Sequence, residues 1–146
     1  MFFLICLIVP AKSALAVLGE GKKSVELDHQ TLHGDRMSIP RAGYSIETIQ
    51  SAGLTIKEYL APNGTIFAVT WEGNRFPDLV TLFGAYYNEY QQASDIYRKQ
   101  TKILHGAFHL TSSRLVVQTA GRSPHLRGRA YLPSYLPPGL PLKDIE

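Results

Sequence analysis

Residues 58–73, EYLAPNGTIFAVTWEG, hold two apolar runs joined by Pro62-Asn63-Gly64, and one run carries a glutamate. From Tyr44 onward the period is two, that of a half-buried strand, and both runs read as strands. Proline suits position i+1 of a type I turn, and Gly64 can follow in the left-handed region. That gives a three-residue hairpin loop with a bulge. A two-residue Asn-Gly loop would instead align Leu60 with Phe67 and Ile56 with Trp71. The three-residue loop is the favoured reading.

The same period extends outward. Residues 44–50, 54–61 and 65–72 read as strands rich in Ile, Thr, Tyr, Val and Phe, with Gly53 dividing the first two. Upstream, MSIPRAG reads as a turn. SVELDHQTLHG reads as a short helix, with Ser24 as N-cap and Gly34 at C′. Downstream, FPDLVTLFGAYYNEYQQAS changes to a helical period. Pro77 suits the first helical position, and Leu79, Leu82, Phe83, Tyr86 and Tyr90 form one stripe to pack on a sheet. Gly84 lies inside this helix, where it costs about 1 kcal/mol against Ala and implies a close backbone approach.

The stretch from Asp95 to Leu104 gives no clear period. RLVVQT (114–119) and LRGRAYL (126–132) read as a hairpin about the turn AGRSP, and LPSYLPPGLPLKDIE reads as an extended, loop-like terminus. The expected fold is α+β: an antiparallel sheet of about five strands, one long amphipathic helix on one face, and a short N-terminal helix.

The chain has 146 residues and a formal net charge of +3. That is the size of one domain, and the basic excess is too small to imply a nucleic-acid partner. MFFLICLIVPAKSALA reads as a secretory signal: Phe2 to Val9 form a short apolar core, and Ala14-Leu15-Ala16 offers a cleavage site to signal peptidase. The expected layout is a signal over 1–16, one domain over 17–137 and a proline-rich tail over 138–146. The sole cysteine, Cys6, would leave with the signal, so the mature chain would hold no disulfide and no thiolate site. Periplasmic or secreted localisation follows, with no membrane span after cleavage. Retention at the inner membrane by an uncleaved N-terminus is the alternative.

Glu58 is the anomaly of the opening stretch. Alternation places it on the face of Leu54, Ile56 and Leu60. A carboxylate there must be paired, hydrogen-bonded, at an edge, or raised in pKa. The structural reading pairs it with Arg129; the catalytic reading makes it a general base beside His125. Two histidine pairs, His29 with His33 and His105 with His109, have the i, i+4 spacing that can seat a divalent metal, but neither carries the glutamate of H-E-x-x-H. Tyr86, Tyr87 and Tyr90, with Arg129, are candidates to line a ligand site. Two basic blocks stand out, Arg98-Lys99-Lys102 and Arg122-His125-Arg127-Arg129. Nucleophile elbows, phosphate loops and dinucleotide fingerprints are absent, so no cofactor is expected.

Two linked blocks carry a resemblance. The first comprises Glu58, Tyr59, Pro62, Gly64, Phe67, Ala68, Val69, Trp71, Gly73, Pro77, Asp78, Leu79, Leu82, Gly84 and Tyr86. The second comprises Gly128, Arg129, Ala130, Leu132, Pro133, Leu136 and Pro137. Together they resemble a family of small exported bacterial proteins known only as a domain of unknown function. The turn before the late block is glycine-rich in that family, whereas here it is AGRSPH. The resemblance implies bacterial export and supplies no activity, substrate or catalytic residue. The expectation is a non-catalytic binding or assembly module of the cell envelope, meeting an envelope protein or an anionic surface. The alternatives are a small periplasmic hydrolase using Glu58 with a histidine, or a metal-handling protein using His29 and His33.

Overall fold

The computed structural model describes residues 18–21, 36–101 and 107–146. Among the described residues seven strands form one antiparallel sheet: β1 (Arg36–Arg41), β2 (Tyr44–Ser51), β3 (Leu54–Leu60), β4 (Ile66–Gly73), β5 (Phe108–Thr111), β6 (Val116–Arg122) and β7 (His125–Tyr131). Their order is β1-β2-β3-β4-β7-β6-β5. The first four are a meander, and the last three are a second meander joined to it through β4 and β7. Two strands exceed the expected five. MSIPRAG is the edge strand β1 and its turn rather than a turn alone, and a sheet edge is where Pro40 is tolerated. The other is β5, only four residues long. The predicted N-terminal helix lies outside the described residues.

Both readings of the Pro62-Asn63-Gly64 turn contribute to what forms. The Ala61 N–H donates to Thr65 O at 2.9 Å and the Gly64 N–H to Ala61 O at 2.8 Å, closing a three-residue loop. A register shift between Tyr59 and Leu60 then brings Ile56 opposite Trp71, the alignment that sorts apolar residues best. The bulge reconciles the turn's geometry with the sheet's pattern.

The helical segment runs from Leu79 to Thr101 in two pieces, α1 (Leu79–Phe83) and α2 (Tyr87–Thr101), joined by a 3₁₀ turn at Gly84–Tyr86. Asp78 caps α1 by accepting from the Val80 and Thr81 amides. Gly84 interrupts the helix with a φ of +49°, a conformation costly for any side-chain-bearing residue. The predicted stripe buries as expected: Leu82 and Phe83 have no exposed surface, and Leu79, Tyr86 and Tyr90 pack around them.

The sheet has a core on each face. On the helical face lie Leu54, Ile56, Leu60, Val69 and Trp71, with Leu82 and Phe83 above them. Leu18 is also buried there, its amide donating to Leu82 O at 3.1 Å. On the other face Tyr59, Phe67, Ala68, Val116 and Tyr131 form a smaller cluster around Ile145. The proline-rich terminus is irregular, as expected, yet it folds back over this face. Arg129 Nη1 donates to Leu142 O at 2.7 Å, and Tyr59 Oη donates to Glu146 O at 2.6 Å.

One carboxylate fixes α2 against the β5–β6 hairpin. Glu89 Oε1 accepts from Ser112 Oγ and from the Arg114 N–H at 3.0 Å, while Oε2 accepts from Arg114 Nε at 2.9 Å. Burial raises the Glu89 carboxyl, and the hydrogen bonds from Ser112 and Arg114 together outweigh it, leaving the group below the usual carboxylate range. Among the described residues no helix is long and apolar enough to cross a membrane.

Candidate functional site

Glu58 is fully buried on the helical face. It stands directly opposite Glu47 of β2, which is 8% exposed, and Glu47 in turn lies opposite Ser38 of β1. Ser38 Oγ donates to Glu47 Oε1 at 2.9 Å, and both carboxylates take part in further interactions. On its other side Glu58 aligns with Val69, then with Ala130, Val117 and Leu110 across the sheet. The row is therefore polar at one end and apolar at the other.

The expected pairing of Glu58 with Arg129 is not formed. Arg129 aligns with Thr70 and Gln118, one residue out of step with the Glu58 row, and successive residues of a strand point to opposite faces. Its Nε donates to Gln118 Oε1 at 2.5 Å on the face covered by the C-terminal segment. His125 shares that parity and is exposed at the start of β7. Glu58 and His125 thus sit on opposite faces, and the structure does not bring them together.

The histidines of the first pair, His29 and His33, and His105 of the second lie outside the described residues. His109 is exposed on β5, its Nε2 3.3 Å from both Thr111 Oγ1 and Gln118 Nε2. Among the described residues no cluster of three metal-ligating side chains occurs.

The three tyrosines separate. The Arg114 guanidinium lies over the Tyr86 ring at 5.1 Å, which fixes that ring at the helix start. The Tyr87 and Tyr90 rings lie tilted to one another at 6.0 Å, and Tyr90 meets Phe83 edge-on at 5.2 Å. Tyr90 lines a cavity, and burial raises its phenol above the ordinary range, keeping it a donor at neutral pH.

That cavity, about 640 Å³, lies between α2 and the β5–β7 end of the sheet. Phe108, Leu110 and Leu126 form its sheet side; Leu79, Tyr90 and Tyr97 form its helix side. Arg98 and Arg122 stand at its rim, both exposed. The two basic blocks, 24 residues apart at these positions, meet here because β6 returns beside β7 under α2. Neither guanidinium is tied into a hydrogen bond or ion pair with another described residue. An apolar trough with convergent cations at its mouth suits a ligand with an apolar body and an anionic end.

Two other depressions differ in character. One of about 590 Å³ on the opposite face carries Lys57, Arg127 and Arg129, but Lys57 Nζ and Arg129 are already bonded to main-chain oxygens of the C-terminal segment. Another, about 850 Å³, is walled mainly by turns and the proline-rich segment. Of the residues in the 640 Å³ groove, Tyr97, Arg98 and Phe108 gave no joint sequence signal. Continuing the helical stripe from Tyr90 through Ser94 to Tyr97 would have reached one wall.

No curated protein and no solved structure matches the chain. Residues 14–145 match the family described as "Protein of unknown function (DUF2844)". With nearly the whole sequence covered, the chain belongs to that family of uncharacterised proteins.

Proposed function

We propose that this protein is a non-catalytic binding module of the bacterial cell envelope, taking up an anionic amphiphile in the groove between α2 and β5–β7. The observation that carries the reading is the convergence of Arg98 and Arg122, neither in a hydrogen bond or ion pair with another described residue, on the mouth of an aromatic and aliphatic trough. Arginine forks recognise carboxylate and phosphate oxygens in pairs, and the apolar walls take a hydrocarbon body. Export is part of the same proposal. It is supported by the apolar run and small residues of 1–16, and by Leu18 entering the core just past the expected cleavage point.

The test is a calorimetric titration of the protein purified from the envelope. Pentadecanoate is the anionic probe, and pentadecyltrimethylammonium is its cationic counterpart. The proposal expects the anion to bind roughly tenfold or more tightly than the cation, one charge-assisted hydrogen bond's worth. The double variant R98Q/R122Q should abolish that preference. Equal binding of both probes, or a preference untouched by the double variant, would refute it.

A further inference from the structure

The lining of the groove divides into an interior and a rim. Tyr90, Tyr97, Leu110 and Leu126 are buried or half-buried, whereas Phe76, Arg98, Arg122 and Ser123 are exposed. Phe76 keeps 47% of its surface open to solvent. Of the six large apolar side chains exposed among the described residues, it alone lines this groove. Ser123 Oγ donates to Asn74 O at 3.2 Å, which ties the β6–β7 turn to the segment carrying Phe76. The exposed ring and Arg122 are therefore carried on adjoining loops. No carboxylate lines the groove, so Arg98 and Arg122 are its only charged side chains.

An amphiphile with a long hydrocarbon body favours a bilayer over water by roughly fourfold for each methylene. A groove that takes such a molecule has to be loaded from a lipid surface, and its mouth has to reach that surface. The rim has the composition for this contact. An exposed aromatic ring enters the boundary between headgroups and acyl chains, and arginines at the same level meet anionic headgroups. An acidic protein surface would satisfy the arginines and leave the exposed ring unmatched.

We propose that the mouth of the groove docks on an anionic lipid bilayer, Phe76 entering the acyl boundary and Arg98 and Arg122 lying on the headgroups. The ligand then passes between bilayer and groove without crossing water, and the same arginines hold its anionic end. This inference rests on the groove being the ligand site.

The probes are vesicles of phosphatidylcholine, vesicles of phosphatidylcholine and phosphatidylglycerol in equal parts, and pentadecanoate. Vesicle binding is read by co-sedimentation. The docking face is read from an environment-sensitive fluorophore on one introduced cysteine, with Cys6→Ser removing the native thiol. One label replaces the rim aromatic, in Phe76→Cys. The other, in Met37→Cys, is exposed in the row of Lys57 and Arg129 on the opposite face. Each arginine near an anionic surface is worth roughly fivefold, so wild type should bind phosphatidylglycerol vesicles roughly twentyfold more tightly than neutral ones. R98Q/R122Q should erase that difference, and Phe76→Ser should weaken binding to phosphatidylglycerol vesicles roughly tenfold. The label at position 76 should shift to the blue on these vesicles, and the label at position 37 should not. Pentadecanoate binding without vesicle binding would overturn the docking and leave the groove standing. A blue shift at position 37 alone, or vesicle binding indifferent to R98Q/R122Q, would do the same. Binding of neither vesicles nor pentadecanoate would overturn both.

Discussion

Adding one methyl group at Gly128 tests the packing of the Trp71 indole over β7. In Gly128→Ala the new Cβ would lie 2.2 Å from Trp71 Cζ2 and 2.4 Å from Cε2. Carbon atoms in van der Waals contact sit about 3.5–4.0 Å apart, so the indole has to move by more than an ångström. It is 2% exposed and rests against Phe83 at a centroid distance of 6.2 Å, and Phe83 is itself fully buried. Overpacking of this kind costs about 1–3 kcal/mol. Replacing glycine in a strand returns roughly 0.5–1 kcal/mol through the unfolded chain. The expected net loss is about 1–2 kcal/mol. Urea unfolding followed by the emission of the single tryptophan measures it as a lower midpoint at unchanged slope. A double-mutant cycle with Trp71→Phe, followed by circular dichroism, should show the double variant losing less than the sum of the two singles. An additive cycle, or a Gly128→Ala variant as stable as wild type with unshifted emission, would refute the placement of the indole over β7.

Three further outcomes follow from the same geometry. Thr119→Val should stabilise the free protein by about 1 kcal/mol in thermal unfolding, because it removes a buried hydroxyl that lacks a partner; destabilisation would mean the hydroxyl is satisfied. Glu89 titrates below its unfolded value, so its contribution is fully present above the unfolded pKa of about 4.3 and is lost as pH falls through the lower, folded pKa. Unfolding midpoints of wild type and Glu89→Gln between pH 7 and 3 should therefore differ most at neutral pH and converge towards pH 3; parallel curves would contradict this. Glu58→Ala should cost about 2–4 kcal/mol by removing a fully buried, partnered side chain, while the exposed His125→Ala should stay within about 0.5 kcal/mol in the same assay.

The strands legible in the sequence were those whose alternation was long enough to count. β2, β3, β4, β6 and β7 each present seven or eight residues of strand, and the expected bounds lie within three residues of the observed ones. β1 was hidden by Pro40, which resembles turn chemistry until the edge position is known, and β5 is too short to show a period. Helix α2 continues past the expected end because its buried side narrows to Ser94 and Tyr97, leaving few apolar residues to mark it.

The face of Glu58 followed from β3 alone. The face of Arg129 relative to it did not, because that depends on the register of β4 against β7, set by strands more than fifty residues apart. The groove was illegible for the same reason. Arg98 and Arg122 converge only through the insertion of β7 between β4 and β6, and the place of the indole over β7 is visible only once Gly128 is known to lie opposite Trp71.

Native mass spectrometry of the protein, purified gently from its own cell envelope, bears on export and on ligand binding together. The predicted spectrum begins at Val17 and shows one non-covalent anionic amphiphile per chain, absent from R98Q/R122Q prepared in the same way. A bare chain would contradict the proposal, as would a ligand retained equally by the double variant or one released chemically altered.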